Sequence, residues 1–231
     1  CSSDRPLQFN LGNEAVQIDW TRAIDTSSGV VLDNIMEGLT SYVDSLPGSE
    51  ADLLRPMPAL ASSWSVSEGG KVYRFHLRPG VFWSDGVELE AKHFVDAWER
   101  LLNPATASAN AYQLLGLENA AAYVSGKLKN FSSVGVSAVD RHTLEVRLRR
   151  PVPYFLHLVA SAATFPVRKD LIEKFGDQWV DPENLVTLGP YRIAEWKQGE
   201  RIVLRAYPGY HGKRPKISTV ICRLIAEPLP A

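Results

Sequence analysis

The stretch that decides the fold lies at residues 74–86 and reads RFHLRPGVFWSDG. Its first part continues an alternation in which Tyr73, Phe75 and Leu77 share one face, and a period of two predicts a half-buried β-strand. Two turn dipeptides, PG and DG, then lie on either side of an aromatic pair. The stretch therefore predicts a strand followed by two closely spaced turns.

Elements on both sides of this stretch are also predicted. Before it, the turn Glu68-Gly69-Gly70 joins the strand to an earlier one that carries Trp64 and Val66, so a hairpin is expected. After it, apolar residues between Ala91 and Leu102 recur at i, i+1, i+4, i+7 and i+8, which predicts an amphipathic helix. Asn103-Pro104 is expected to end that helix.

The rest of the chain shows the same mixture of short elements. Because helices and antiparallel strands alternate without a β-α-β rhythm, the sequence favours a mixed α+β fold over a doubly wound sheet. The further predicted elements are a short strand that runs into a loop over residues 16–25, a helix from Gly29 to Leu39, a helix at 118–123, a hairpin at 134–148, a helix at 169–175, a hairpin at 191–205 and a strand at 217–224.

Composition excludes two classes of function. The 25 Lys and Arg residues against 26 Asp and Glu leave a formal net charge of -1, so the phosphate backbone of a nucleic acid is not an expected partner. No apolar run approaches the roughly 18 residues that predict a membrane span. With 45% hydrophobic and 22% charged residues, the chain has the composition of a folded protein.

No pattern of catalytic or metal-binding residues stands out. The chain carries no G-x-S-x-G, phosphate-loop, G-x-G-x-x-G, H-E-x-x-H or C-x-x-C motif, and its five histidines are scattered at spacings unsuited to one metal site. We therefore expect a protein that is not an enzyme and that needs neither a cofactor nor a metal.

The two cysteines give separate expectations. Cys1 is the first residue, and a chain that starts with Cys predicts removal of a signal peptide and attachment of a diacylglycerol, as in a bacterial lipoprotein. A chain boundary or a structural thiol at Cys1 is the open alternative. Cys222 lies in the apolar alternation of Val220 and Leu224, which predicts a buried free thiol rather than a disulfide.

Beyond these patterns, the deciding stretch and the motifs around it resemble the oligopeptide and dipeptide solute-binding proteins of bacterial ABC importers, extracellular solute-binding protein family 5. The resemblance extends over nearly the whole chain and is closest to the oligopeptide receptors. The motifs that carry it, in the order of the family, are Glu37-Gly38-Leu39, Pro58 to Trp64, residues 74–86, Phe94-Val95, Trp98-Glu99-Arg100, Asn103-Pro104, Thr106-Ala107-Ser108, Val152 to Phe155, Gly189-Pro190-Tyr191 and Glu200 to Leu204.

The resemblance implies a particular domain organisation. We expect a type II periplasmic-binding-protein-like lobe that is discontinuous, formed by residues 1–40 and 167–231. A small α/β domain at residues 41–166 is inserted into it. The chain stops near the point where such receptors cross into their second large lobe, so about half of the family's length and only the first lobe are expected here.

The resemblance also implies which residues line the ligand cleft. The early loop that meets the peptide corresponds to Ala23, Ile24, Asp25 and Thr26, and Asn110 occupies the position of an aromatic residue in the oligopeptide receptors. Trp20 precedes that loop, so lining the cleft and packing in the core are both open for it. One lobe supplies about half of the contacts to an enclosed ligand, so this chain alone is expected to bind peptides weakly.

Two functions from different classes follow. The first is a lobe of a peptide receptor that works with an ABC permease at the extracytoplasmic, periplasmic face, anchored to the membrane through Cys1. The second is a truncated, receptor-derived lipoprotein that acts as a structural or accessory subunit of another membrane complex. In either case Glu90 departs from the family, which often has Thr at that helix N-cap.

Overall fold

The computed structural model describes residues 5–42 and 55–225. Within them the chain forms ten strands and five α-helices, joined by turns and short 3-10 segments. In chain order these are β1 (Leu7–Asn10), α1 (Thr26–Ile35), β2 (Thr40–Tyr42), β3 (Pro56–Pro58), β4 (Ala61–Ser67), β5 (Val72–Leu77), α2 (Ala91–Leu102), α3 (Ala120–Val124), β6 (Val136–Ala138), β7 (Thr143–Arg147), α4 (Phe155–Leu158), α5 (Lys169–Phe175), β8 (Tyr191–Lys197), β9 (Arg201–Ala206) and β10 (Thr219–Arg223).

The strands form two four-stranded sheets and one two-stranded ribbon. The first sheet has the order β1-β10-β9-β8, with β1 parallel to β10 and the other pairs antiparallel. The second sheet has the order β4-β5-β7-β6 and is antiparallel throughout. The ribbon pairs β2 with β3. The first sheet thus joins the two ends of the described chain, whereas the second is built from the middle. The limits of the two expected domains stay a prediction.

Helix α2 covers the second sheet with a fully buried face. Phe94, Trp98 and Leu101 on this face are all 0% exposed, and Phe75 on β5, also 0% exposed, belongs to the same hydrophobic core. The indole N–H of Trp98 donates to the carbonyl of Thr164 at 2.9 Å, so the one polar atom of this buried ring is satisfied. Burial of each such side chain contributes about 1.5–3 kcal/mol to folding.

Close approach of the backbone joins α1 to the first sheet. The N–H of Gly189 donates to the carbonyl of Ile35, the last residue of α1, at 2.8 Å. A Cβ added at Gly189 would lie 2.4 Å from the carbonyl carbon of Ile35, so only glycine fits there. This contact explains the glycine of the Gly189-Pro190-Tyr191 motif.

Most predicted elements are confirmed, and the exceptions have local causes. All three hairpins are present, and α2 has the predicted bounds. The short strand predicted from Val16 is wrong, because residues 11–19 form no strand, whereas the loop predicted to follow it is present, with a turn at 20–22. The strand lies earlier, at β1, and helix α1 begins at Thr26 rather than at Gly29 because Asp25 caps it.

Candidate functional site

The early loop, residues 23–26, contains one residue, Ile24, whose backbone groups are unpaired. The side chain of Ile24 is 76% exposed, and within the described chain neither its N–H nor its C=O makes a hydrogen bond. Asp25 beside it has extended dihedrals, with φ -95 and ψ 149. Thr26, which begins α1, is also exposed. The loop therefore combines an unpaired backbone at Ile24 with extended backbone at Asp25.

The carboxylate of Asp25 is used inside the loop. It accepts hydrogen bonds from the backbone N–H and from the hydroxyl of Ser28, both at 2.7 Å. This is the geometry of a helix N-cap, which satisfies backbone donors at the start of α1. Both oxygens are engaged in this way, so Asp25 fixes the shape of the segment.

Asn110 reaches the same loop from a distant part of the chain. Its side-chain amide donates to the carbonyl of Ala23 at 2.8 Å. The hydroxyl of Ser108, which accepts the backbone N–H of Asn110 at 3.1 Å, also donates to the carbonyl of Thr21. The structure thus brings Asn110 to the segment of residues 23–26. We call residues 23–26 together with Asn110 the candidate wall.

Trp20 does not belong to the surface of the candidate wall. It is 0% exposed, its indole N–H donates to the carbonyl of Phe165 at 3.3 Å, and its ring meets Trp179 edge-to-face with centroids 4.8 Å apart. The expectation that Trp20 lines a cleft is therefore corrected to a core position. A large aromatic ring whose polar atom finds a buried acceptor is stabilised in the core.

An ion pair that the sequence did not predict supports the wall from behind. Arg100 on α2 donates to both carboxylate oxygens of Asp19, at 2.8 and 2.5 Å, and also to the hydroxyl of Thr21. Asp19 is 3% exposed and accepts two further hydrogen bonds from Thr21. The backbone carbonyl of Asp19 accepts a hydrogen bond from the N–H of Ala23. The ion pair of Asp19 with Arg100 therefore fixes the turn at whose end the candidate wall begins.

The pairing of Asp19 with Arg100 had no local signal. The two residues lie 81 positions apart, and neither belongs to a motif with ion-pair spacing. Arg100 belongs to the motif Trp98-Glu99-Arg100, which is part of the family resemblance, but that motif does not indicate which residue Arg100 binds. A bidentate contact between a guanidinium and a carboxylate is among the stronger hydrogen-bonded pairs in proteins.

Other expected features fall outside or away from the wall. Cys1 lies outside the described residues. Cys222 is a buried free thiol, as predicted, and burial raises its pKa to about 11. Across residues 5–42 and 55–225, no group of three or more His, Cys, Asp or Glu side chains is arranged to hold a metal ion. The helices in the same ranges are too short or too polar to cross a membrane.

Comparison with known proteins defines the class. Residues 55–230 match the family described as "Bacterial extracellular solute-binding proteins, family 5 Middle". This match extends over more than half of the chain. The chain therefore belongs to family 5 of the bacterial extracellular solute-binding proteins.

Two relatives with known descriptions illustrate the similarity. The chain is 39% identical over 209 residues to the periplasmic oligopeptide-binding protein OppA of Escherichia coli K12. The alignment covers 88% of this chain and 36% of that protein. It is 42% identical over 188 residues to the probable deoxycholate-binding periplasmic protein YgiS of the same strain, covering 80% of this chain and 33% of that protein.

Solved structures agree with the fold. The oligopeptide ABC transporter substrate-binding domain of Bacillus anthracis str. Ames superposes with a TM-score of 0.86 at 32% identity, covering 95% of this chain and 41% of that one. Haemophilus influenzae OppA, solved in complex with the peptide RPPGFSPFR, superposes with a TM-score of 0.87 at 30% identity. This superposition covers 97% of this chain and 42% of that one. The chain has the mixed α/β fold of these proteins.

The part of each relative's length that this chain covers is smaller than the half expected from the sequence. The chain spans about a third of the two curated relatives and slightly over two fifths of the two solved structures. What is described here is therefore one part of the architecture that those proteins have.

Proposed function

We propose that this chain forms one side of the peptide-binding cleft of an ABC-importer receptor, and that the candidate wall contacts the peptide backbone. The proposal is supported by membership of family 5 and by similarity to relatives described as oligopeptide-binding. Trp20 is not included among the contacts, because it is buried.

The single observation that carries this proposal is the unpaired backbone of Ile24. A backbone segment whose N–H and C=O have no partner within the protein can pair with an extended peptide as one strand pairs with another. Such pairing uses main-chain groups, so it depends little on the side chains of the peptide. The bond from Asn110 to Ala23 and the cap at Asp25 hold both ends of Ile24 in place before a ligand arrives, which lowers the entropic cost of binding.

The same geometry explains why this wall alone would bind weakly. The charged termini of a peptide lose hydration on binding unless ion pairs replace it. The wall contains no cation for the carboxylate of a peptide, and its one carboxylate, that of Asp25, already accepts two hydrogen bonds as a helix cap. Tight binding would need groups that face the wall from another part of the receptor, with closure by a hinge motion.

The proposed context follows from the resemblance. Residues 1–40 and 167–231 would form the discontinuous first lobe, with 41–166 as the inserted domain. The protein would work outside the cytoplasm with an ABC permease, held at the membrane by a lipid on Cys1. Homologues named as periplasmic binding proteins support the compartment; the lipid is testable by the intact mass of the native protein.

The proposal is tested by titrating the chain with tri- to pentapeptides while amide chemical shifts are recorded by NMR. We expect shifts at Ala23 to Thr26 and at Asn110. Peptides with N-methylated amides should lose this effect, because they cannot donate to the Ile24 carbonyl. Asn110→Ala should lower peptide affinity roughly fivefold, which corresponds to the loss of about 1 kcal/mol for one hydrogen bond.

Asn184→Ala provides the matched control. Its side-chain amide also donates to a backbone carbonyl, that of Gln178 at 2.9 Å, but far along the chain from the wall. This variant should bind peptides like the unchanged protein. Equal binding of N-methylated and unmodified peptides would contradict the proposed wall. A complete absence of peptide effects, with copurification of membrane subunits, would instead favour the accessory role.

A further inference from the structure

A cavity of about 250 Å³ lies beside α4 and shares no residue with the candidate wall. Two tyrosines that line it, Tyr112 and Tyr154, are 67% and 59% exposed. Most of the remaining lining is apolar and is formed by Leu115, Leu117, Val152, Phe155 and Leu158. We call this space the Arg-Tyr cavity, after the tyrosines and the two arginines described next.

The charge of the cavity is one-sided. Arg149 and Arg150 both line it, because the chain bends at these residues after β7. No carboxylate is among the lining residues. Within the described chain, neither guanidinium makes a hydrogen bond or an ion pair. By contrast, two other arginines of the protein are paired with carboxylates: Arg100 with Asp19, and Arg168 with Asp85.

We propose that the Arg-Tyr cavity binds a carboxylate carried on a short apolar body. A guanidinium presents paired N–H donors that match the two oxygens of a carboxylate. The apolar body would pack against Val152 and Phe155, and the exposed tyrosine rings would cover it. Aromatic side chains and arginines are the residues that most often dominate binding energy at protein surfaces.

Size and charge narrow the ligand further. A cavity of about 250 Å³ is smaller than the roughly 300–1,000 Å³ typical for drug-sized ligands, so it would take a single small group. A phosphate monoester carries nearly two charges at neutral pH, and its desolvation against an apolar floor costs more than that of a carboxylate. The ligand class is therefore a small carboxylic acid or the last residue of a peptide, which share this chemistry.

The experiment compares hexanoate with hexanamide, titrated into the 231-residue chain and followed by saturation-transfer NMR. The two probes share the same alkyl chain, and the charged carboxylate of hexanoate is replaced by a neutral carboxamide in hexanamide. We expect hexanoate to bind at least about tenfold more tightly, and its affinity to fall as salt is raised. Equal binding of the two probes would overturn the proposal, because the arginines would then play no part.

A double variant, Arg149→Gln with Arg150→Gln, tests the two guanidinium groups directly. It should lose at least about tenfold in hexanoate affinity and leave hexanamide unchanged. Both positions are exposed, so the melting temperature should stay close to that of the unchanged protein. The matched control is Arg205→Gln, an exposed arginine on β9 outside the cavity. Unchanged hexanoate binding in the double variant would overturn the proposal.

N-acetylleucine and its amide distinguish the two sources of the carboxylate. Binding of hexanoate and N-acetylleucine alike assigns the cavity to small carboxylic acids in general. Binding of N-acetylleucine at least about tenfold more tightly than hexanoate, with its amide excluded, assigns it to the carboxyl-terminal residue of a peptide. Both results support the proposal, and failure of both acids to bind overturns it. Peptide titration of the candidate wall is read out separately, at Ala23 to Thr26.

Discussion

At the scale of single residues, the support of the wall depends on a buried charge pair. Asp19 and Arg100 have side chains that are 4% and 15% exposed, so neither is well solvated if its partner is lost. The resemblance located Asn110 and the early loop, but it gave no information on what holds them. That information lies in a contact between residues far apart in sequence, and it appears only once the fold brings α2 beside the turn at 19–23.

We predict that Asp19→Ala destabilises the protein by about 3 kcal/mol, because it leaves the guanidinium of Arg100 buried without a carboxylate. The free energy of unfolding from urea titration measures this effect. Asp177→Ala is the control, since Asp177 pairs with Arg22 at 3.4 Å but its side chain is 91% exposed, and its midpoint should stay nearly unchanged. Equal effects of the two substitutions would show that burial of the pair does not matter.

At the scale of elements, what could be predicted depends on how local the signal is. The hairpin of β4 and β5 has alternating apolar residues and the turn Glu68-Gly69-Gly70, so its neighbours in sequence specify it. Strand β1 has four residues with no buried side chain, and its partner β10 begins more than 200 residues later. No alternation therefore marks β1, and the sequence instead predicts a short strand that begins at Val16.

The start of α2 shows a side chain acting as a helix cap in an unexpected way. The Nδ1 atom of His93 accepts hydrogen bonds from the backbone N–H of Glu90 at 3.0 Å and from the indole N–H of Trp83 at 3.3 Å. Both donors require a lone pair on Nδ1, so protonation there breaks both contacts. Burial lowers the pKa of His93, and the positive charge of Arg168 lowers it further.

The sign of the pH effect follows from this lowered pKa. Below the ordinary pKa of 6.5, the unfolded chain takes up a proton at His93 while the folded protein does not. Stability therefore falls as the pH drops below about 6.5 and levels off below the folded pKa. We predict that His93→Gln reduces this slope in thermal unfolding between pH 5 and 7.5, roughly the range in which histidine titrates.

Glutamine at position 93 keeps a side-chain acceptor for the Glu90 N–H, as in a capping box, without the titration. The control is His76→Gln, because His76 on β5 is exposed. This variant should keep the slope of the unchanged protein. An undiminished slope in His93→Gln would show that another group is responsible for the acid sensitivity.

At the scale of the whole molecule, the two sheets are joined by the DG turn of the deciding stretch. Ser84 donates its N–H to the carbonyl of Thr187 at 2.9 Å, and its hydroxyl accepts the Thr187 N–H at 3.1 Å. Arg192 donates to the Ser84 carbonyl at 2.6 Å. The turn that the sequence placed after an aromatic pair thus contacts the strand and loop that follow α5.

Arg168 completes this junction and gives the last prediction. It is 6% exposed and donates to Asp85 at 2.7 Å and to Asp170 at 2.7 and 2.8 Å, so it joins the DG turn to the start of α5. We predict that the protein unfolds in one cooperative transition. Arg168→Met should lower its free energy of unfolding by about 2 kcal/mol, because hydrogen bonds to charged groups are lost.

Hydrogen exchange measured by mass spectrometry checks whether this junction acts on both sheets. If the sheets unfold together, Arg168→Met must lower the protection of amides in β5 and β7 as much as that in β9, because each amide then exchanges through the same global opening. Lys169→Met is the control, since the single ion pair of Lys169 within residues 5–42 and 55–225 is a solvent-accessible one to Glu99 at 3.4 Å, and it should leave protection in both sheets nearly unchanged. Two separate transitions in the unchanged protein, or lost protection in one sheet alone, would show that the sheets are independent. A receptor wall that needs residues from α2 and from the loop before α1 would then lack a rigid base.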